Sequence, residues 1–165
     1  GVDLLIEAFK LLGNFQFRLK IIGDGPLKNY FAKKFKMEMI KGIEFLGKKK
    51  HSECMEILKN AKFLILPSIC YEMFPVTLIE AFACGKPVIL SNIGSPSEIV
   101  EDGKTGLLFK YADPEDLSSK INWMIKNEKE CIWMGKNARM RYESEYTAEK
   151  NFEILMRIYN RVITL

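Results

Sequence analysis

Glu72 and Glu80 stand eight residues apart in the segment running from Pro67 to Leu90. Two carboxylates so placed have two chemical uses. They can share acid and base work around a reacting bond, or they can hold a ligand by accepting its hydroxyl protons. An apolar stretch, Phe63 to Leu66, reads as a strand that ends in the turn carrying Glu72. A helix opening at Pro75 carries Glu80. Open α/β sheets bind ligands beyond the carboxyl ends of their strands. A helix start at the same edge adds open backbone N–H groups and a positive dipole end, which suit phosphate.

The elements that must position this pair alternate along the chain. Val2 to Leu12 is apolar at helical spacing, and Phe17 to Ile22 is strand-like before the break at Gly23-Asp-Gly-Pro26. Leu27 to Lys36 reads as a helix with Tyr30 and Phe31 inward, followed by a strand at Ile43 to Leu46 and a lysine-rich loop. Ser52 is the expected N-cap of a helix reaching Asn60. The helix carrying Glu80 should stop at Gly85, ahead of a buried strand at Val88 to Leu90. A short strand at Gly106 to Phe109 leads to Pro114 to Lys126, a further helix, and Thr147 to Ile163. The last helices should pack outside the sheet or against something beyond this chain, with Trp123 and Trp133 as anchors. The expected fold class is α/β, a Rossmann-like parallel sheet flanked by helices, in one domain over residues 1–165.

With 165 residues, 48% hydrophobic, the chain can bury a sizeable core. No apolar run is long enough to cross a bilayer, and the start lacks a basic-then-apolar leader pattern. Cys54, Cys70, Cys84 and Cys131 lack metal-type pairing and read as reduced, cytosolic thiols. The expected localisation is therefore cytoplasmic, including the cytoplasmic face of a membrane. The net charge of +4 draws on Lys28, Lys33, Lys34, Lys36, Lys41, Lys48, Lys49 and Lys50. These read as a solvated face, or as contact with an anionic membrane surface or nucleotide. Nucleic acid is disfavoured, since arginine is scarce in this stretch and the lysines are not interleaved with an aromatic stacking pattern.

At the glutamate pair the sequence resembles family 4 retaining glycosyltransferases of the GT-B architecture, in which two Rossmann-like lobes face a cleft. Glu72 and Glu80 at their spacing, Pro67-Ser68 before them and Ala81-Phe-Ala-Cys-Gly-Lys-Pro-Val88 after them carry the likeness. So do Gly23-Asp-Gly-Pro26, Phe45-Leu-Gly47, Ser91-Asn-Ile-Gly94, Glu98 to Phe109 and Asp113 to Leu117, in the family's order. The chain looks like the C-terminal, donor-binding lobe. Its partners would then be a nucleotide-diphospho-sugar and the N-terminal acceptor lobe of the same enzyme. No cofactor and no metal are expected.

The resemblance implies a role for each matched residue. Glu72 would be the catalytic-site carboxylate that binds the hydroxyls of the transferred sugar, with the amides of Met73 and Phe74 beside it. Met73 stands where the family often has glycine. The phosphates would meet the helix start from Pro75 to Thr77, and Glu80 would take both ribose hydroxyls. Gly94 would face the phosphates or merely connect a strand to a helix, with family position favouring the site, while Gly23 and Gly25 make either a turn or a wall of the site. The base would be read by backbone groups near Phe45 to Lys48. In the family an arginine and a lysine, on a stretch whose final glycine Gly1 matches, clamp the donor diphosphate. By that correspondence the clamp lies outside residues 1–165.

Three other functions compete with a transferase. A binding module would hold the nucleotide-sugar without chemistry. A two-lobed nucleotide-sugar epimerase would need catalytic acids, usually with a histidine, and His51 lies in the lysine-rich loop outside the motif. A phosphorylase-like enzyme would need a cofactor-bearing lysine in an apolar pocket. Within the transferase reading, the paired glutamates position a donor and shuttle no protons.

Overall fold

The computed structural model describes residues 1–13, 17–38 and 42–163. Helices and strands alternate: α1 (Val2–Leu11), β1 (Leu19–Ile22), α2 (Lys28–Glu38), β2 (Ile43–Gly47), α3 (His51–Lys59), β3 (Leu64–Leu66) and α4 (Val76–Ala83). Then come β4 (Val88–Ser91), α5 (Pro96–Ile99), β5 (Gly106–Phe109), α6 (Pro114–Lys126), α7 (Glu128–Arg141), a π-helical turn (Tyr142–Tyr146) and α8 (Ala148–Ile163). Among the described residues every strand pairing is parallel, as the alternation requires.

The hydrogen bonds divide the strands into two sheets, β1-β2 and β3-β4-β5. In the second, Leu64 lies opposite Val88, and Val88 opposite Gly106. A side chain at Gly106 would run into the Val88 backbone, so this close pairing requires glycine. All four residues of β4 are buried, the mark of a strand covered on both faces. Its side chains alternate between two cores. Ile89 joins Leu4, Leu5 and Ala8 of α1, Leu117, Ile121 and Met124 of α6, and Cys131 and Met134 of α7. Val88 and Leu90 face the opposite way, against Leu58 of α3 and Leu78, Ala81 and Phe82 of α4.

Several local expectations are corrected. Ser52 does not cap α3. The helix begins one residue earlier, at His51, and Lys50 is its N-cap. The Lys50 amide donates to Glu53 Oε2 at 2.9 Å, the half of a capping box that an acid in the first turn supplies whatever the N-cap side chain. Phe31 is buried as expected, but Tyr30 stays exposed, with its ring edge-on to Phe31 and beneath Lys34. Trp123 and Trp133 are also surface residues. α6 and α7 are anchored instead by Leu117, Ile121, Met124, Cys131, Met134 and Ala138.

The last two α-helices, α7 and α8, behave differently from each other. α7 packs on α4 and β5, whereas no residue of α8 is buried and its principal contact is the π-helical turn. Lys41, counted in the basic stretch, lies outside the described residues.

Candidate functional site

Parallel strands put their carboxyl ends on one edge, and the sequence loads that edge of the molecule. β3 ends at Leu66, and the loop from Pro67 to Pro75 carries Glu72. Ser68 Oγ donates a hydrogen bond to Glu72 Oε1, fixing one oxygen of a half-buried carboxylate. Aromatic residues brace the loop: Tyr111 donates its hydroxyl to the Ile69 carbonyl at 3.1 Å, and Phe74 lies 6.3 Å from the Tyr146 ring.

Burial pushes the Tyr146 hydroxyl above its ordinary pKa, consistent with a ring tucked beneath this loop. Gly94, after β4, closes on the same loop with φ +68°; a Cβ there would sit 3.2 Å from the Tyr71 ring and 3.7 Å from the Glu72 carbonyl. Ser97 holds that turn, its hydroxyl donating to the Gly94 carbonyl at 2.7 Å. Glu98, next in the chain, is exposed.

Met73 needs no glycine in its place. Its side chain is 91% exposed, and among the described non-glycine residues only Ala112 has a positive φ. The Met73 backbone is therefore available without left-handed strain. Pro75 is buried as the N-cap of α4 and has no side chain with which to cap it. The amides of Val76 and Thr77, in the first turn, consequently face out at the positive end of the helix dipole. Thr77 is exposed beside them.

Glu80 belongs to the same helix one turn on. Leu78, Ala81 and Phe82 around it are fully buried, which forces the helix inward and leaves the Glu80 side chain 24% exposed. A carboxylate at that depth needs a partner. It has one: His51 Nε2 lies 2.6 Å from Glu80 Oε1. This overturns the placement of His51 outside the motif. His51 is the first residue of α3, and a helix that follows a strand in a parallel sheet starts on the carboxyl edge, where the site is. That positional rule was the signal available in the sequence.

Gly23 and Gly25 make a turn at the end of β1. The Gly23 amide donates to the Gly47 carbonyl at 2.9 Å, tying the carboxyl ends of β1 and β2 together. Asp24 accepts from the Gly25 amide and pairs with Lys28 at 3.4 Å. Both glycines open onto free space and touch none of the groups gathered around Glu72 and Glu80. Lys86 lies at the opposite, amino end of the strands, beside a cavity of about 560 Å³ also lined by Lys62, Met124 and Cys131. Lys104 is bound to Glu101 at 2.7 Å. Neither lysine serves the carboxyl edge. Among the described residues, no group of three or more His, Cys, Asp or Glu side chains could hold a metal ion.

Comparison with known proteins bears on the family and the fold. The sequence profile of the glycosyl transferases group 1 family matches residues 1–141. This chain belongs to that family. The match ends with α7, so α8 lies beyond it. An uncharacterized glycosyltransferase of Methanocaldococcus jannaschii is 34% identical over 162 residues, covering 98% of this chain and 45% of the relative. A Campylobacter jejuni N,N'-diacetylbacillosaminyl-diphospho-undecaprenol alpha-1,3-N-acetylgalactosaminyltransferase is 32% identical, covering 73% of this chain and 31% of its own length.

Among solved structures, the Anabaena protein HepE, crystallised with UDP, superposes with a TM-score of 0.84 at 22% identity, over 100% of this chain and 45% of that one. Sucrose-phosphate synthase from Thermosynechococcus elongatus gives 0.86 at 24% identity, over 99% and 42%. The shared fold is α/β, of the GT-B type. The chain spans less than half the length of the curated relatives it matches. Among the described residues, no helix is long and apolar enough to cross a membrane.

Proposed function

We propose that residues 1–165 form the C-terminal donor lobe of a retaining hexosyltransferase that uses a nucleotide-diphospho-sugar. The observation that carries this reading is the order of groups along the carboxyl edge: Glu72 in its loop, the uncapped start of α4, then half-buried Glu80. A nucleotide-diphospho-sugar presents hydroxyls, phosphates and a ribose in the same order. Glu72 accepts the sugar hydroxyls, leaving Ser68 on its other face. The Val76 and Thr77 amides receive the diphosphate, which both carboxylates would repel. Glu80 accepts the ribose hydroxyls.

In a retaining, front-face transfer the acceptor oxygen bonds to the anomeric carbon on the side from which the phosphate oxygen leaves. The acceptor's proton passes to that departing oxygen. The protein's part is to hold the donor and stabilise the leaving diphosphate. In this reading the cationic clamp for the diphosphate comes from outside residues 1–165. The acceptor belongs to the N-terminal lobe, and peripheral contact with a membrane surface would come from this chain's lysine-rich stretch. The setting in this reading is cytoplasmic, with no cofactor or metal taking part.

Calorimetric titration with UDP-, GDP- and ADP-glucose tests the assignment. One of the three should bind to the parent, and Glu80→Ala should weaken it at least about tenfold. Equal affinity in the variant refutes the ribose role. Residues 1–165 alone should transfer little or no sugar, because losing a charged clamp costs several kcal/mol of transition-state stabilisation. Robust transfer by this chain refutes the division of labour.

A further inference from the structure

Glu80 faces a histidine that nothing in the donor reading requires. His51 Nε2 approaches Glu80 Oε1 at 2.6 Å, although the imidazole is 73% exposed and free to turn elsewhere. Its backbone is held firmly. Lys50, just before it, donates its amide to Glu53 Oε2 at 2.9 Å, and the Cys54 amide donates to the Lys50 carbonyl at 3.0 Å. Lys49 reaches Glu53 at 3.7 Å. α3 in turn packs on α4 through the core shared by Leu58, Leu78 and Phe82. The imidazole is thus delivered to the carboxylate by two packed helices.

We infer that His51 is a positioning residue of the nucleotide site, turning the Glu80 carboxylate so that its unused lone pairs meet the ribose hydroxyls. The inference rests on the assignment of Glu80 to the ribose. An ionised carboxylate offers about four lone-pair positions. The His51 N–H takes one on Oε1, and among the described residues no other side-chain or backbone donor reaches Glu80. Enough acceptor capacity remains for two hydroxyls, so His51 stays bonded when the nucleotide arrives.

A terminal carboxylate torsion is broad and weakly held on its own. A charge-assisted N–H contact from a second helix narrows it before binding, and preorganisation of that kind lowers the ordering cost of association. His51 therefore contributes to recognition of ribose as such, and to neither phosphate nor sugar.

The test reads that selectivity in the full 165-residue chain. Binding is measured by calorimetry for UDP and 2′,3′-dideoxy-UDP, with the GDP and ADP pairs alongside. The parent should favour the ribose form at least about tenfold, and Glu80→Gln should abolish most of that preference. His51→Ala should reduce the preference about five- to tenfold while leaving affinity for the dideoxy form unchanged. His51→Gln, which restores an N–H donor, should recover part of it. Combining His51→Ala with Glu80→Gln should cost no more than Glu80→Gln alone.

The inference is overturned if His51→Ala keeps the parent's ribose preference, binds the ribose form more tightly, or weakens both forms equally. If Glu80→Gln itself keeps the preference, the ribose assignment falls and this inference with it. If Glu80→Gln loses the preference and His51→Ala does not, the inference alone falls. Removing His51 takes the partner from a half-buried carboxylate, so the thermal midpoint of His51→Ala should fall by about 2–4 °C at most while unfolding stays cooperative.

Discussion

Gly94 sets the distance between the β4 turn and the Glu72 loop, and replacing it by alanine separates backbone strain from site geometry. Its φ of +68° is a left-handed conformation. A residue with a Cβ pays about 1–2 kcal/mol there. Restricting the unfolded chain returns about 0.4–1 kcal/mol of that. The added methyl would also sit 3.2 Å from the Tyr71 ring. That ring is 82% exposed and can yield at little cost, so the contact adds little to stability.

The net loss for Gly94→Ala is about 1 kcal/mol, or about 2–4 °C in thermal midpoint for a chain of this size. Gly103 provides the control. Its φ is +74°, and nothing lies within 4 Å of its added Cβ. Gly103→Ala should lose the same stability. Only Gly94→Ala should weaken donor binding, because only there does the added methyl enter the proposed site, 3.7 Å from the Glu72 carbonyl and where the phosphates would pass. Differential scanning calorimetry and donor titration on both variants give the comparison. Equal donor affinity in the two variants, or no loss of stability in either, would refute the reasoning.

Two further outcomes follow from other positions. Ser91 is fully buried at the end of β4, and its Oγ has no hydrogen-bond partner among the described residues. Ser91→Ala should therefore raise stability in urea unfolding by about 1 kcal/mol, since an unsatisfied buried hydroxyl costs about 1–3 kcal/mol; a loss of stability would reveal a partner. Glu101 is held below its ordinary pKa, chiefly by the hydrogen bond from Lys104 and also by the nearby charge of Arg141. A carboxyl depressed in the folded state stabilises above its unfolded pKa and loses that contribution as pH falls through the folded value. The thermal midpoint of Glu101→Gln should lie below the parent's at neutral pH and converge on it below the usual glutamate range; a gap independent of pH would exclude the ionic origin.

The alternation of apolar runs with helical spacing was legible because both periodicities are local. Phe63 to Leu66 and Val88 to Leu90 became β3 and β4 with little change of boundary. Glu72, Glu80 and the start of α4 were legible for the same reason, lying within one continuous segment. The contacts that complete the site are long-range. Tyr111 to Ile69 spans 42 residues and His51 to Glu80 spans 29, and no local pattern encodes either. Ser52 misled because it has the chemistry of an N-cap, while Glu53 accepts from the Lys50 amide and supplies its half of a capping box whatever the N-cap side chain. Tyr30 and the two tryptophans misled because an aromatic side chain at helical spacing reads as core, whereas smaller aliphatic residues fill the tighter helix contacts here.

The split between local and long-range information bears on what the chain can specify by itself. The groups proposed for the nucleotide, Glu80, His51 and the α4 amides, lie on helices that share a buried core, so their mutual geometry is set within residues 1–165. Glu72 lies instead in a loop braced by Ser68, Tyr111 and the Phe74–Tyr146 contact, with Met73 beside it almost wholly exposed. Loops so held open at lower free energy than packed helices. On the proposed reading, the nucleoside end of the donor would therefore meet a preformed surface, and the sugar end one that still has to be ordered. The base and ribose should then dominate affinity in this chain, with the sugar adding little until an opposing lobe closes over the Glu72 loop.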